Sequence, residues 1–329
     1  MSTSGSDSND GSVTSPWRTV QKALDTLIAG QVAYVRAGTY SQNLVMARAG
    51  SPLAPITIRN YPRESVILRA GTGQTDNYPL QVETGAAYVR FQGLVFEGAT
   101  GPSSANVYAS GRAHDIELSD CEDRNSKRQG FFSENTTSSI QIIGCYFHDN
   151  GGSGPSNRDH NVYVEGRHQL IANSLIANAP NGFGVQIYPS SDHVIVTEST
   201  IVGASMGGIV IGSDGWATTN SATLVDNVIA FNGGPGIGTF WGGIVGIGNV
   251  ATDNVVWGNA GGQLVGDGIA YVANTIVDPL FIDRGNGDFH VQPMSPAIDR
   301  AQIGYALRDD LDGTPRPEGL GPDVGSYER

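Results

Sequence analysis

Five basic residues lie close together near the middle of an otherwise acidic sequence: Arg124, Lys127, Arg128, Arg158 and Arg167. The formal net charge of the chain is -13, and no further lysine or arginine follows until position 284. Guanidinium groups offer planar pairs of donors that suit carboxylates. The cluster therefore favours a polyanionic ligand at this part of the chain, and its alternative interpretation is a solvated, non-binding surface.

Two segments of this region also carry groups that could move protons. Residues 148–160 end in Asp159 and His160, and Tyr163 follows in an apolar strand. A neutral imidazole can accept a proton near pH 7, and a tyrosine hydroxyl can donate one. The alternative is structural: Asp159 and His160 form a turn before the strand, and Tyr163 and Tyr188 form an aromatic ladder.

An internal repeat shows how these residues must be positioned. Seven segments share an apolar strand, a small or polar residue and a second apolar strand: 89–96, 116–124, 140–148, 169–177, 194–202, 223–231 and 250–258. We align Asn173, Asn227 and Asn254 at one position, which other coils fill with Asp120, Gly144 and Glu198. Cys121 and Cys145 then share the next position, followed there by Ser174, Ser199, Val228 and Val255. Because stacked coils lie about 4.8 Å apart, the two cysteines should touch, as buried thiols or as a disulfide.

A third strand alternates strictly between these segments. Its inward residues should be Val162, Val164, Val185, Ile187, Ile209 and Ile211. Its outward residues should be Asn161, Tyr163, Glu165, Gln186 and Tyr188. Three short strands in each coil of about 24 to 29 residues predict an all-β, right-handed parallel β-helix.

The ends of the chain lose this period. We predict a flexible N-terminus over residues 1–14, a single β-helix domain over 15–277 that begins with a capping helix at 19–29, and an irregular C-terminal cap over 278–329. The acidic composition argues against binding to nucleic acid or to anionic membranes. No segment approaches the roughly 20 apolar residues of a membrane span, and residues 1–15 lack the apolar core of a signal peptide.

The two ends resemble those of bacterial right-handed β-helix proteins of the pectate lyase superfamily. The resemblance is carried by residues 4–11 (SGSDSNDG), 17–23 (WRTVQKA) and 35–40 (VRAGTY), and by 309–317 (DDLDGTPRP) and 323–328 (DVGSYE) near the C-terminus. It implies a secreted, cell-surface or periplasmic protein on a scaffold that hosts lyases, epimerases, hydrolases and non-catalytic modules. It also implies that substrate lies along the outward face of the third strand.

On this resemblance, we expect β-elimination of a uronate-containing polysaccharide. His160 is the candidate base, Tyr163 the donor to the leaving oxygen, and Arg128, Arg158 or Lys127 the group that neutralises the carboxylate. The candidate substrate-binding residues are Arg124, Asp159, Glu165, Gln186 and Tyr188.

Three other functions stay open. A glycoside hydrolase would use Asp159 with Glu165 or Asp214. Resemblance to bacterial mannuronan C5-epimerases implies an acidic residue at position 186, and a C5-epimerase is disfavoured because Gln186 stands there. A non-catalytic carbohydrate-binding protein is compatible with the fold. Calcium could be bound by the carboxylates of Asp309, Asp310 and Asp312. The alternative is that these aspartates form a structural turn. The sequence predicts no other cofactor and leaves the oligomeric state open.

Overall fold

The computed structural model describes residues 1–152, 154, 159–240 and 245–329. Its strands form three parallel sheets that the chain visits in turn, one strand of each per coil, so that every strand pairs with its equivalents in the coils before and after it. The first sheet has ten strands and the second and third have nine each. The predicted parallel β-helix is confirmed.

The strands have the following bounds in chain order. The first sheet contains Val32–Val35, Ile56–Asn60, Ala87–Gln92, His114–Ser119, Ser138–Ile143, Leu170–Ala172, Ile195–Thr197, Thr223–Val225, Asn249–Thr252 and Ile269–Val272. The second contains Gly38–Ser41, Val66–Arg69, Val95–Glu97, Glu122–Arg124, Tyr146–His148, Leu175–Ala177, Thr200–Val202, Val228–Ala230 and Val255–Trp257. The third contains Leu44–Met46, Leu80–Val82, Ala105–Ala109, Gln129–Ser133, Val162–Val164, Phe183–Ile187, Gly207–Ile211, Ile237–Thr239 and Leu264–Val265.

The core lies between the three sheets and runs the length of the solenoid. All six residues of the third strand that the sequence predicts to point inward are fully buried in it: Val162, Val164, Val185, Ile187, Ile209 and Ile211. Side chains alternate between the two faces of a strand, so these residues fix which of their neighbours point outward. The inward set is therefore confirmed.

From Gln92 onward, the turn between the first and second sheets consists of two residues, and the first of them is left-handed in seven coils. These residues, with φ between 47° and 66°, are Gly93, Asp120, Gly144, Asn173, Glu198, Asp226 and Asp253. The register aligned from the sequence is wrong by one residue in the last coils, because Asn227 and Asn254 occupy the second turn position. There they stack with Cys121, Cys145, Ser174 and Ser199.

Hydrogen bonds between coils explain that second position. The Ser174 N–H donates to Ser199 Oγ (3.2 Å), the Ser199 N–H to Asn227 Oδ1 (3.0 Å), and the Asn227 N–H to Asn254 Oδ1 (3.0 Å). The buried polar side chains thus pair the backbone groups that a turn leaves without strand partners. Cys121 and Cys145 are both buried and free, which decides between the two alternatives that the sequence left open.

The N-terminal helix covers Val20–Thr26 and is shorter than predicted. The Thr19 side chain caps it by accepting from the Lys22 N–H (3.2 Å), and the chain becomes extended at Leu27. Residues 1–14 were expected to be flexible, but they are held against this cap. The Ser2 N–H donates to the Trp17 carbonyl (2.9 Å), and Asp7 accepts from the Thr19 N–H (2.9 Å). In the described part of the chain, no helix has the length and apolar character needed to cross a bilayer.

The C-terminal segment, residues 278–329, packs along the side of the solenoid. It forms a hairpin of Phe281–Asp283 and Asp288–Val291 and folds back over the outward face of the second sheet. The physical reason is that strands such as Leu175–Ala177 and Val228–Ala230 are apolar on both faces, so the outward face also requires cover.

Candidate functional site

The outward face of the third sheet carries a row of aromatic side chains in register. Tyr108, Phe132 and Tyr163 are direct strand partners, and Gln186 follows them in the next coil. The rings stack on one another from Tyr78 onward, with centroid separations of 4.9, 5.5 and 4.8 Å. Each stacked ring face covers the next one, so Tyr78, Tyr108 and Phe132 are only partly exposed, and Tyr163 is buried (8%).

Two carboxylates lie beside this row. Glu134 and Glu165 each follow a third-sheet strand directly, and the pairing of Ser133 with Val164 places them side by side. The Tyr108 hydroxyl donates to Glu134, and the Tyr163 hydroxyl donates to Glu165 Oε1 (2.7 Å). We call Tyr108, Glu134, Tyr163 and Glu165 the tyrosine–carboxylate face.

Sequence analysis identified Tyr163 and Glu165 but missed Tyr108 and Glu134. The missed pair carried a readable signal, since residues 132–134 (FSE) repeat the aromatic–small–Glu order of residues 163–165 (YVE). The long segment between these two strands hid the repeat, because it makes this coil longer than its neighbours. Only the strand register shows that the two glutamates are adjacent.

Burial sets the protonation of this face. It raises the pKa of Glu165, and the nearby charges of Glu134 and Asp214 raise it further. Burial and the charge of Glu165 also raise the pKa of Tyr163 well above its usual value, as burial and Glu134 do for Tyr108. Both phenols are protonated at neutral pH, as an unperturbed tyrosine also is, and they donate hydrogen bonds to the two glutamates.

Gln186 and Tyr188 lie on the same outward face, as predicted. Gln186 is almost fully buried in the row of Tyr163, and Tyr188 stands beside Glu165 with its ring half-buried. A Cβ added to Gly212 would lie 2.8 Å from Tyr188 Cδ2, so only glycine at that position lets the ring settle against the next coil.

His160 does not meet the requirements of the predicted base. Its side chain has no exposed surface (0%), and its Nδ1 accepts a hydrogen bond from the Phe183 N–H (3.0 Å). The ring packs edge-on against Tyr163, with centroids 5.7 Å apart. The structural alternative fits this geometry better: His160 supports the aromatic row from behind and positions Tyr163.

Asp159 is also withdrawn from the surface. It is fully buried and pairs with Arg128, whose Nη1 lies 2.8 Å from Asp159 Oδ1. Below it the chain is tightly packed, because a Cβ at Gly182 would lie 1.6 Å from the Asp159 carbonyl oxygen. The Arg128–Asp159 pair therefore fastens two turns together, and it does not leave Asp159 available to a polysaccharide.

The five basic residues that lie close together in the sequence do not share one surface in the structure. Arg124 belongs to the second sheet, because the strand Glu122–Arg124 continues to that residue, and its guanidinium pairs with Glu97 (2.9 Å) and Glu122 (2.5 Å). It therefore does not face the third-sheet surface, which corrects its assignment to substrate binding. Lys127 is exposed, and Arg158 lies outside the described residues.

A buried polar cluster lies where the chain enters the third sheet. Asn106 Nδ2 donates to Asp123 Oδ1 (2.9 Å), and Asn150 Nδ2 donates to Asn161 Oδ1 (3.1 Å). Burial raises the pKa of Asp123 to about 8, despite these amide donors. A Cβ at Gly130 would lie 2.7 Å from Asp123 Oδ1, so the cluster directly supports the strand that carries Phe132.

No group of three metal-ligating side chains occurs among residues 1–152, 154, 159–240 and 245–329. Of the three aspartates considered for calcium, Asp310 accepts hydrogen bonds from the N–H groups of Asp312 (2.9 Å), Thr314 (2.7 Å) and Glu328 (2.8 Å). Its carboxylate thus organises a turn in the C-terminal segment, which favours the structural alternative.

Comparison with known proteins places this geometry in a family. Residues 1–243 match the family model described as "Pel9A-like, right handed beta helix region", so the chain belongs to that family and its β-helix is right-handed. The crystal structure of pectate lyase Pel9A superposes with a TM-score of 0.70 at 14% identity, covering 100% of this chain and 95% of that one. A structure described as a glycoside hydrolase superposes with a TM-score of 0.60 at 11% identity, covering 84% and 94%. These structural likenesses establish the shared fold alone.

Two curated relatives match shorter stretches. The uncharacterized protein YwoF of Bacillus subtilis (strain 168) is 29% identical over 126 residues, which is 36% of this chain and 27% of that protein. Pectate lyase PEL9 of Emericella nidulans is 37% identical over 70 residues, 21% and 17% of the two chains. The chain therefore spans less than a third of the length of the curated relatives it matches. The family match therefore establishes the right-handed β-helix scaffold of this chain.

Proposed function

We propose that this protein is a secreted or cell-surface enzyme that cleaves an acidic, uronate-containing polysaccharide by β-elimination on the tyrosine–carboxylate face. The observation that carries the proposal is the pair of tyrosine hydroxyls, Tyr108 and Tyr163, hydrogen-bonded to two carboxylates that stand in register on neighbouring coils. The local similarity to pectate lyase PEL9 supports the choice of reaction.

The face supplies the two proton transfers that β-elimination requires. Glu134 takes the C5 proton of the uronate, and the released electron pair forms the C4–C5 double bond as the bond from C4 to the leaving oxygen breaks. Tyr163 gives its proton to that oxygen as negative charge develops on it. Glu165 holds the Tyr163 hydroxyl in place (2.7 Å), while His160 supports the ring from behind.

Hydrolysis is the second candidate, and the two in-register carboxylates favour it specifically. Adjacent strands are about 4.8 Å apart, and paired carboxyl groups about 5 to 9.5 Å apart can flank one glycosidic bond. Glu165, whose pKa is raised by burial, would be the general acid, and Glu134 would be the nucleophile or base. This pair replaces the combinations of Asp159 with Glu165 or Asp214 considered from the sequence, because Asp159 is buried.

Product analysis on polygalacturonate, alginate and glycosaminoglycans tests the proposal. β-Elimination creates an unsaturated uronate with new ultraviolet absorbance, whereas hydrolysis creates reducing ends without it. We expect Tyr163→Phe and Glu165→Gln each to lower the rate of absorbance increase at least about 100-fold, which is the usual contribution of a positioned acid or base. Tyr305→Phe and Glu117→Gln are matched controls on other surfaces and should keep full activity.

The outcomes separate the candidate functions. Reducing ends without absorbance, lost in Glu134→Gln and Glu165→Gln, would replace elimination by hydrolysis. Full activity of Tyr163→Phe with unchanged product would remove the tyrosine–carboxylate face from the mechanism. Absence of any product across the panel would favour a carbohydrate-binding protein without catalysis.

A further inference from the structure

An open depression of ≈690 Å³ lies beside the tyrosine–carboxylate face, where the chain passes from the third sheet to the first. Its walls include Arg112, His114, Asn135, Ser138 and Arg167. Arg112 follows Tyr108 by four residues and Arg167 follows Tyr163 by four, so both arginines are placed by the same coils that place the two phenols. The depression therefore continues the surface on which we place the substrate.

Arg112 and Arg167 differ in their ion pairing from the arginines of the basic cluster that the sequence predicts. Arg124 and Arg128 both pair with carboxylates, as do Arg36, Arg69 and Arg90 elsewhere on the solenoid. Within the described ranges, neither Arg112 nor Arg167 has a carboxylate at ion-pair distance, and both side chains are exposed. Two guanidinium groups in a protein of net charge -13 thus remain available to an external anion.

The spacing of Arg112 and Arg167 suits a polymeric ligand with repeated charges. Ser138 pairs with His114 on one side and with Arg167 on the other, so the two arginine-bearing turns are two coils apart. At about 4.8 Å per coil, their backbones are separated by about 10 Å along the solenoid axis. A polymer lying along that axis can therefore meet both arginines at once.

The neighbouring negative charges would orient a bound uronate. Glu134 and Glu165 stand on the side of the depression that leads to the third-sheet face. Their charges repel substrate carboxylates from that face and favour the arginine side. A uronate would then place its carboxylate toward the depression and its C4–C5 edge toward Tyr163 and Glu134.

We infer that the depression between Arg112 and Arg167 is the carboxylate-binding subsite of the protein, and that it selects acidic over neutral polysaccharide. The inference rests on the proposed function for the identity of the polymer. Each guanidinium binds one carboxylate through paired N–H donors, and it supplies the charge neutralisation that the acidic tyrosine–carboxylate face lacks. Sequence analysis had placed this role on Arg128, Arg158 and Lys127.

The test measures binding separately from catalysis. Calorimetric titration uses the Tyr163→Phe variant, in which turnover should be at least about 100-fold slower. It compares oligogalacturonate, a charged ligand, with its methyl ester, the neutral counterpart. We expect Arg112→Gln and Arg167→Gln each to weaken oligogalacturonate binding about tenfold, and the double variant to bind the free acid no better than the ester. Arg63→Gln, an exposed arginine away from the depression, is the matched control and should leave both affinities unchanged.

The results distinguish this inference from the proposed reaction. Carboxylate-dependent binding that the double variant loses supports the subsite, even when no elimination product is ever detected. Unchanged affinity in the double variant, or equal affinity of the parent for free acid and ester, would overturn it, even when elimination proceeds normally. If alginate oligosaccharides bind and oligogalacturonate does not, the same arginine dependence measured with alginate decides the question.

Discussion

The outward faces of the second and third sheets rest on the same backbone repeat and have different surroundings. In the later coils of the second sheet, the outward residues are apolar, and Phe281, Phe289 and Val324 of the C-terminal segment cover them. On the third sheet, the outward row is aromatic and flanked by Glu134 and Glu165, which the C-terminal segment does not reach. Outward residue type therefore decides whether a face of this solenoid is covered by its own chain or remains available to a ligand.

The largest expected effect comes from weakening the contact between the C-terminal segment and the outward face of the second sheet. The Arg316 side chain is fully buried (0%) and lies 3.3 Å from Glu328, with further bonds to the Asp323 carbonyl (2.8 Å) and the Asn173 side chain (3.2 Å). Arg316→Met leaves these acceptors buried without their cation. We expect the free energy of unfolding to fall by about 3 to 5 kcal/mol, measured by denaturant titration.

Arg308→Met is the matched control for that variant. Its side chain is 93% exposed and lies 3.9 Å from Asp309, so the change should stay within about 0.5 kcal/mol. Equal stability of the Arg316→Met and Arg308→Met variants would show that Arg316 does not fasten the segment, and the contrast between the two faces would then need another cause.

The second largest effect concerns Asp123, in the buried polar cluster where the chain enters the third sheet. Burial raises the pKa of Asp123 to about 8, so the folded state holds its proton more tightly than the unfolded chain does. The contribution of this group to stability is complete below about pH 4 and is lost as the pH rises toward about 8. Asp123→Asn removes the titration, so between pH 5 and pH 7 the stability of the variant relative to the parent should rise by about 2.7 kcal/mol.

This comparison uses the pH dependence, because the new amide can change the stability by a constant amount at every pH. Thermal melts of both proteins at several pH values provide the measurement. Parallel stability curves from pH 5 to pH 7 would contradict a raised pKa at Asp123. Asp115→Asn, at an exposed first-sheet position, serves as the reference for a surface carboxylate.

The smallest effect concerns the aromatic row itself. Phe132 stacks between Tyr108 and Tyr163, with centroid distances of 5.5 and 4.8 Å. Phe132→Leu keeps an apolar side chain and removes both ring contacts, so we expect a loss of about 1 kcal/mol. Trp216→Leu, at a side chain that is 96% exposed, should change stability by less than about 0.5 kcal/mol. A Phe132→Leu variant as stable as the parent would mean that the ring contacts do not stabilise the fold.

The sequence by itself determined the architecture and the direction of each strand residue. Alternation at Val162, Tyr163 and Val164 placed the tyrosine outward, because successive side chains of a strand point to opposite faces. The same rule led to Glu165 and Gln186. The turn register failed by one residue at Asn227, since polar residue type alone does not distinguish the left-handed turn position from the buried one that follows it.

Only the tertiary structure decided what surrounds each residue. It buried His160 behind Tyr163, assigned Arg124 to the second sheet, and laid the C-terminal segment along the side of the solenoid. It also brought Glu134 beside Glu165 and opened the depression between Arg112 and Arg167. Local sequence fixes the period of a strand, but burial and charge pairing depend on neighbours one coil away, and the variable length of each turn sets which residues those are.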